Sequence, residues 1–188
     1  ESSQPTFRYS LLDGVRDGHL LLVRAGVESD LGPIARMPLT VEGRASYNVA
    51  NLAGAALAAM ALGVEPETIA AAFATFGAVP GDNAGRMMRF DFDGARVLLD
   101  YAHNPDGLRG LLKVADGLRA GAGRLGLLLG HAGNREVADY ERLAAVAAEF
   151  RPDLVVVKEI EGYLRGREPG EVPRIIHSAL LRCGLPES

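Results

Sequence analysis

Cysteine and tryptophan are almost missing from this sequence of 188 residues, which has one cysteine, Cys183, and no tryptophan. A single thiol excludes an internal disulfide framework and any metal site built from a cluster of cysteines. This cysteine usage is typical of a reducing compartment, so we expect a cytoplasmic protein. We expect Cys183 itself to be a small buried side chain on the last helix.

Long apolar runs and an excess of basic residues are also lacking. No run approaches the roughly 20 apolar residues that cross a bilayer, and the first residues, Glu-Ser-Ser-Gln, do not resemble a signal peptide. The chain has 20 Lys and Arg against 24 Asp and Glu, a balance without the basic field that nonspecific nucleic-acid binding requires. We therefore predict neither a membrane nor a nucleic acid as partner. A homo-oligomer is compatible with this composition.

Two motifs that are typical of a particular chemistry do not occur in the sequence, and a third stands in the wrong structural context. It has no G-x-x-x-x-G-K-[ST] phosphate loop and no G-x-S-x-G nucleophile elbow. No G-x-G-x-x-G follows a predicted strand, since the glycines at 121 and 123 lie between a helix and a strand instead. Any functional site is therefore built from other clusters of polar residues.

The first part of the chain predicts short strands followed by a helical hairpin. Residues 7–41 alternate short apolar stretches with Asp-Gly and other turn signals. Residues 44–62 are rich in alanine and nearly free of charge, which predicts a helix buried on most sides that ends at Gly63. A second helix is predicted from Pro66 to about Phe76.

Two asparagines near the start of the first helix are candidate ligand contacts. Asn48 and Asn51 are three residues apart and share one helical face. An amide side chain offers both the donor and the acceptor that an adenine edge requires. A simpler role for each amide is a hydrogen bond to the backbone of a neighbouring loop.

Residues 77–86 (GAVPGDNAGR) are rich in glycine and proline and show no periodicity. This composition predicts a linker between two domains, which we place at 1–80 and 81–188. Arg86 at the end of the linker is a candidate phosphate ligand, because a guanidinium offers a planar fork to anionic oxygens. A single arginine in a loop is, however, more often only solvated.

Beyond the linker, strands and helices alternate. Asp93-Gly94 predicts a tight turn between strands 87–92 and 95–100. The later elements are predicted as helix 106–119, strand 124–130, helix 136–150, strand 153–159 and helix 170–183. Right-handed crossovers make this a Rossmann-like α/β domain, a mostly parallel sheet with flanking helices, extended by the antiparallel strand 87–92. Apolar runs at 127–129 and 155–157 predict strands buried on both faces.

Three polar loops follow the predicted parallel strands, at residues 100–106, 130–136 and 158–171. Because the carboxyl ends of parallel strands lie at one edge of a sheet, we expect these loops to line one rim. The first loop, DYAHNPD, has four polar side chains in five residues, which favours a binding loop, although Asn104 alone fits a helix N-cap equally well. An anionic ligand is favoured by the cationic and imidazole side chains of the three loops, His103, His131, Arg135, Arg165 and Arg167.

A metal site in the same loops is a less favoured interpretation. Its ligands would be Asp100, His103, Asp106 and His131, but the histidines have neither H-x-x-x-H nor H-E-x-x-H spacing. A metal-dependent hydrolase that uses His103 and Asp106 therefore ranks last among the functions considered. We assign no metal ligand.

Taken together, these stretches resemble the Mur ligase family, ATP-dependent enzymes that form amide bonds and include the peptidoglycan precursor ligases, folylpolyglutamate synthetase and cyanophycin synthetase. RASYNVANLAGAALAA resembles the family's H-N-x-x-N-x-x-A-A helix, with Tyr47 where many members have His. Gly85-Arg86 is similar to the end of the P-G-R junction, and DYAHNPD to the loop that opens the C-terminal domain. GHAGNRE and LRGREPGE are most similar to the Mur-ligase-like C-terminal half of cyanophycin synthetase, although Asn134 replaces the Asp of its G-D-R pattern.

The resemblance implies that 1–80 is the tail of a central ATPase domain and that 81–188 is most of a C-terminal Rossmann-like domain. It implies ATP and Mg²⁺ as cofactors and an amino acid or peptide as substrate. The implied nucleotide contacts are Asn48 and Asn51 to adenine, Arg86 to the phosphates and Asp100 to the ribose, with Tyr101 and His103 nearby. The residues implied on the side of the incoming amino substrate are Arg135, Arg165 and Arg167.

The reaction implied by the resemblance joins a carboxylate to an amine through an acyl phosphate formed from Mg-ATP. The family's phosphate loop and modified lysine precede the helical hairpin in relatives and have no counterpart here. We therefore expect a fragment of a longer ligase, inactive alone and without catalytic residues of its own. The alternative is a nucleotide-binding or regulatory module without chemistry.

Overall fold

The computed structural model describes residues 14–24, 26–119 and 123–187. The chain divides into two compact units, Glu1–Leu99 and Asp100–Ser188. The domain boundary predicted after residue 80 stays a prediction, and the strands predicted before residue 14 lie outside the described residues. Among the described helices, none combines the length and the apolar composition that a membrane crossing requires.

The first unit begins with a small antiparallel sheet and continues into two helices. The elements are β1 (Val15–Arg16), β2 (His19–Arg24), β3 (Val27–Pro33), α1 (Ser46–Ala61) and α2 (Pro66–Thr75). The strand order is β1-β2-β3, and Asp17 and Gly18 between β1 and β2 have φ of 51° and 78°, as a tight hairpin turn requires. Two 3-10 turns, Ile34–Arg36 and Pro38–Thr40, lead from the sheet to α1.

Helix α1 buries one face only. Its buried apolar side chains have helical spacing and are Val49, Leu52, Ala53, Ala56 and Met60. Ala55 and Ala58 are exposed, so the prediction of a helix buried on most sides is wrong. Alanine is the strongest helix former and needs no burial to favour a helix, so an alanine-rich composition does not reveal how many faces are covered. The helix end is as predicted, with Gly63 at φ 84°.

The first unit ends in a hairpin of β4 (Met88–Phe92) and β5 (Ala95–Leu99). Phe90 lies opposite Val97 in the antiparallel register. Asp93 and Gly94 have φ of 47° and 76°, which confirms the tight turn that this dipeptide predicts.

The second unit alternates helix and strand, as the sequence predicts. Its elements are α3 (Pro105–Leu118), β6 (Gly126–Leu129), α4 (Val137–Glu149), β7 (Leu154–Val157) and α5 (Glu171–Arg182). β6 and β7 pair in parallel, with Gly126 opposite Leu154. The chain is therefore a mixed α/β protein, and the larger Rossmann-like sheet stays a prediction.

One face of the β6–β7 pair packs on the helices of the second unit. The inward side chains are Leu127, Leu129, Val155 and Val157. Side chains of a strand alternate between its two faces, and on the other face Leu128 is 62% exposed and Val156 47%. The prediction that these strands are buried on both faces is therefore wrong for the described residues.

Helices α3, α4 and α5 form the core over that face, with Tyr140, Leu143 and Ile176 almost fully buried. Cys183 directly follows the last residue of α5 and is exposed. Its predicted burial is wrong because the buried face of α5 is formed by residues at helical spacing, among them Ile176 and Leu180.

Candidate functional site

Asn48 and Asn51 lie side by side near the start of α1. Asn51 Nδ2 donates a hydrogen bond to Asn48 Oδ1 at 3.3 Å, which confirms that the two amides share one face. Asn48 Nδ2 donates to the Leu39 carbonyl oxygen at 2.7 Å. Asn48 therefore forms the hydrogen bond to a loop backbone that was the alternative to a ligand contact. Asn48 is buried and Asn51 is exposed, and Asn51 is therefore the amide that solvent reaches.

A cleft in the first unit has Arg86 on its wall, together with Pro38, Leu39, Gly77 and Asn83. The cleft opens to solvent, and its cavity volume is about 30 Å³. Leu39 also accepts the hydrogen bond of Asn48, so the predicted adenine and phosphate contacts of the first unit border one region. Gly77 lies tightly against this wall, since an added Cβ would be 2.7 Å from Leu39 Cδ2.

The loop that opens the second unit is held by its own side chains. Asp100 Oδ1 accepts the Ala102 N–H at 2.8 Å, and Asn104 Oδ1 accepts the Gly107 N–H at 2.7 Å. Asn104 is the N-cap of α3, which confirms the capping interpretation of that residue.

Tyr101 and His103 form an aromatic pair on the same loop. Their ring centroids are 5.1 Å apart, and Tyr101 is 66% exposed. An exposed ring of this kind offers a face on which a planar group can stack. The assignment of both residues to a nucleotide stays a prediction.

The three polar loops of the second unit meet, as the sequence predicts. His131 Nε2 donates to the His103 carbonyl oxygen at 2.9 Å, which joins loop 130–136 to loop 100–106. The Gly133 N–H donates to the Tyr163 carbonyl oxygen at 2.8 Å, which joins loop 130–136 to loop 158–171. One side-chain hydrogen bond and one backbone hydrogen bond therefore connect the three loops.

Arg167 contacts protein groups on several sides. Its Nη1 lies 2.6 Å from Glu171 Oε1, its Nη2 donates to the Arg135 carbonyl oxygen at 2.9 Å, and its Nε donates to the Gly133 carbonyl oxygen at 3.4 Å. Its guanidinium carbon lies 5.8 Å from the centre of the Tyr140 ring. The guanidinium thus connects the two later loops, and its predicted contact with a substrate stays a prediction.

Tyr140 belongs to this group, although no sequence motif indicated it. The residue is fully buried, its hydroxyl donates to the Ala132 carbonyl oxygen at 2.9 Å, and the hydroxyl accepts the Arg135 N–H at 3.3 Å. A buried tyrosine hydroxyl needs a hydrogen-bond partner. A tyrosine on the buried face of a helix, one turn after a polar loop, therefore indicates a contact with that loop.

Arg135 and Arg165 are exposed arginines of the two later loops, and Lys158 is a further exposed cation there. Neither guanidinium has a hydrogen bond or ion pair to another residue in the part of the chain that the structure describes. The Arg165 guanidinium carbon lies 5.3 Å from the centre of the Tyr163 ring, a cation–π contact. Both charges are therefore placed to meet an anionic group from solvent.

No cluster of three His, Cys, Asp or Glu side chains able to hold a metal ion occurs within residues 14–24, 26–119 and 123–187. The candidate ligands Asp100, His103, Asp106 and His131 do not form such a cluster.

The Glu171 carboxylate is stabilised in its charged form. The Glu168 N–H, which donates to Glu171 Oε2 at 3.0 Å, and then the Arg167 guanidinium hold the pKa of Glu171 below its ordinary value of 4.5. Hydrogen bonding to Glu171 in turn raises the pKa of Arg167. This pair therefore stays charged in moderate acid.

We expect the contribution of Glu171 to stability to disappear in acid. A carboxyl group whose pKa is lower in the folded state stabilises the fold above its unfolded pKa, and this contribution is lost as the pH falls through the folded pKa. Urea unfolding should therefore show Glu171→Gln less stable than wild type at about pH 6, and the difference should shrink as the pH falls below 4.5. Glu168→Gln, whose carboxylate has no hydrogen bond among the described residues, is the control, and a pH-independent difference for Glu171→Gln would contradict the expectation.

Residues 85–183, more than half of the chain, match the model of the Mur ligase, glutamate ligase domain. Cyanophycin synthetase of Trichormus variabilis is 33% identical over 171 residues, which are 91% of this chain and 18% of that protein. Cyanophycin synthetase of Synechocystis sp. is 34% identical over 146 residues, 78% of this chain and 16% of that protein. UDP-N-acetylmuramoyl-L-alanyl-D-glutamate–2,6-diaminopimelate ligase of Gloeobacter violaceus is 39% identical over 127 residues, 66% of this chain and 24% of that protein.

The chain thus spans less than a quarter of the length of these relatives, all of which are named as synthetases or ligases. The matched residues 85–183 include the three loops that meet in the second unit. The resemblance seen in the motifs is confirmed, and the chain belongs to the Mur ligase family.

Proposed function

We propose that this chain is part of an ATP-dependent ligase that joins a carboxylate to an amine, similar to cyanophycin synthetase. The observation that carries the proposal is the meeting of three polar loops within the residues that match the Mur ligase domain. The proposal includes residues 1–80 as the tail of a central ATPase domain and 81–188 as part of a Rossmann-like C-terminal domain. A cytoplasmic location suits an enzyme that consumes ATP.

The chemistry of three exposed side chains and of the half-buried Asp100 fits a nucleotide. Arg86 is exposed on the cleft wall and suits a phosphate, while the Asn51 amide suits a base edge. The Tyr101 ring suits stacking, and the Asp100 carboxylate suits ribose hydroxyls. When bound, ATP supplies the phosphoryl group that activates the carboxylate as an acyl phosphate. Mg²⁺ is proposed as its companion, since this ion is usually held by substrate phosphates and only one or two carboxylates.

The amino substrate is proposed to lie beside the later two loops. Arg135 and Arg165 present exposed positive charge there, and the loop of Arg167 borders the same region. A carboxylate of an amino acid or peptide has the charge and the planar shape that a guanidinium binds best. The role of these residues is to hold the amine close to the activated carbon, because positioning and charge neutralisation supply most of the catalysis in phosphoryl-transfer enzymes.

The experiment that tests the ligase function measures ADP and phosphate release from Mg-ATP by the protein that carries this chain. A panel of the common amino acids is supplied, with and without short acidic peptide acceptors. Release that one amine stimulates, with formation of an amide product, supports the ligase. Nucleotide binding without turnover under any of these conditions would instead support a non-catalytic nucleotide-binding module.

Asp100 gives a test at the level of one residue. We expect Asp100→Asn to weaken ATP binding by roughly 1–3 kcal/mol, or about 5- to 150-fold in Kd, if the carboxylate accepts ribose hydroxyls. Asparagine keeps one oxygen for the Ala102 N–H and removes the charge. Asp106→Asn, at an exposed position in the first turn of α3, is the control. An unchanged ATP affinity in folded Asp100→Asn removes Asp100 from the site.

A further inference from the structure

We propose that Tyr140, Arg167 and Glu171 form a positioning device for Arg135, an exposed cation on the amino-substrate side of the proposed site. This inference rests on the proposed function, because it assigns the contact with the substrate to Arg135. It makes Tyr140 a positioning residue that no sequence motif indicated.

Both backbone polar groups of Arg135 are held by side chains from elsewhere in the second unit. The Arg135 N–H donates to the Tyr140 hydroxyl at 3.3 Å, and the Arg135 carbonyl oxygen accepts from Arg167 Nη2 at 2.9 Å. Its peptide groups are thus fixed on both sides while its side chain remains exposed. In an exposed loop, backbone N–H and carbonyl groups normally form hydrogen bonds with water. Because both groups of Arg135 are instead held by side chains, we infer that this arrangement fixes the position of Arg135.

The two holding side chains are themselves fixed. Tyr140 is fully buried on α4, and its hydroxyl also donates to the Ala132 carbonyl oxygen at 2.9 Å. Arg167 is bound by Glu171 at 2.6 Å, a residue in the first turn of α5. Although Arg135 lies on a loop, its backbone is therefore held by α4 through Tyr140 and by α5 through Arg167 and Glu171. A site held by helices in this way is positioned more accurately than one held by a loop alone.

The first test measures hydrogen exchange of the Arg135 amide by NMR in this chain. Tyr140→Phe removes only the hydroxyl, so we expect the Arg135 N–H to exchange at least about fivefold faster. Amides of α4 and α5 should keep their protection, which shows that the core remains folded. Tyr163→Phe is the matched control, because the Tyr163 hydroxyl has no hydrogen bond among the described residues and the ring under Arg165 is retained.

The second test measures steady-state kinetics in the protein that carries the chain. We expect Tyr140→Phe and Arg167→Lys each to raise KM for the amino substrate about tenfold and to leave KM for ATP unchanged. In an Arg135→Gln background, adding Tyr140→Phe should change KM less than twofold, because Tyr140 acts through Arg135.

The two tests separate this inference from the proposed function. If no variant and no wild-type protein turns over ATP with an amine, the proposed function fails, while the exchange of the Arg135 amide still decides whether Tyr140 holds it. Unchanged exchange in Tyr140→Phe overturns the positioning device. Additive effects of Tyr140→Phe and Arg135→Gln on KM also overturn it, since they show that Tyr140 does not act through Arg135.

Discussion

Gly133→Ala is expected to lower the free energy of unfolding of the second unit by about 3 kcal/mol, the upper end of the usual cost of overpacking. An added Cβ would lie 1.8 Å from the Leu164 carbonyl oxygen and 2.7 Å from the Leu164 carbonyl carbon. These are backbone atoms, so no side-chain rotation relieves the contact, and loops 130–136 and 158–171 must separate. The Gly133 N–H bond to Tyr163 is then lost as well.

Urea unfolding followed through the NMR signals of α5 measures this change in the second unit. Gly162→Ala is the matched control, because Gly162 lies in the same pair of loops and has no heavy atom within 4 Å of its added Cβ. The control should remain within about 0.5 kcal/mol of wild type. Equal stabilities of the two variants would show that the loops do not approach at Gly133.

Leu180→Ala is expected to destabilise the second unit by about 2–5 kcal/mol, the usual cost of truncating a buried leucine. Leu180 is 4% exposed and belongs to the core formed with α4. Leu181, the next residue on the same helix, is 39% exposed. The two substitutions remove the same atoms from the same helix. The difference between their effects on the free energy of unfolding therefore measures the contribution of burial.

The same urea titration compares both leucine variants, and we expect Leu181→Ala to cost less than about 1 kcal/mol. A loss of stability that is equal at the two positions would mean that α5 presents a different face to the core. Glu171 lies in the first turn of this helix. A helix that presents a different face would therefore also place Glu171, the partner of Arg167, elsewhere.

Local signals predicted the elements well because each depends on residues close in sequence. Gly63 ends α1, Asp93-Gly94 forms the turn of the hairpin, and Asn104 caps α3, each through its own backbone or side chain. The meeting of loops 130–136 and 158–171 was also predictable, because both follow the parallel pair β6 and β7. Loop 100–106 follows β5, which pairs antiparallel with β4, and it joins the other two through the His131 side chain.

Features that depend on tertiary distance were not predictable. Leu128 belongs to an apolar run yet is exposed, because a run shows that a strand is apolar and not which faces are covered. Arg167 is a residue type that often contacts ligands. Its partners here, Glu171 and the Arg135 carbonyl oxygen, are known only from the folded structure. The hydroxyl of Tyr140 has two partners before it in sequence, and no spacing rule identifies them.

The close approach of Gly133 to Leu164 has a consequence for protein engineering. A graft that exchanges loop 158–171 with that of a relative, and leaves loop 130–136 in place, brings a foreign backbone against a position with no room for a Cβ. An exchange of these loops with those of a relative therefore requires both loops to be transplanted together, along with Tyr140. Exchanges of a single loop should destabilise the second unit, whereas point changes at the exposed Arg165 leave the contact between the two loops intact.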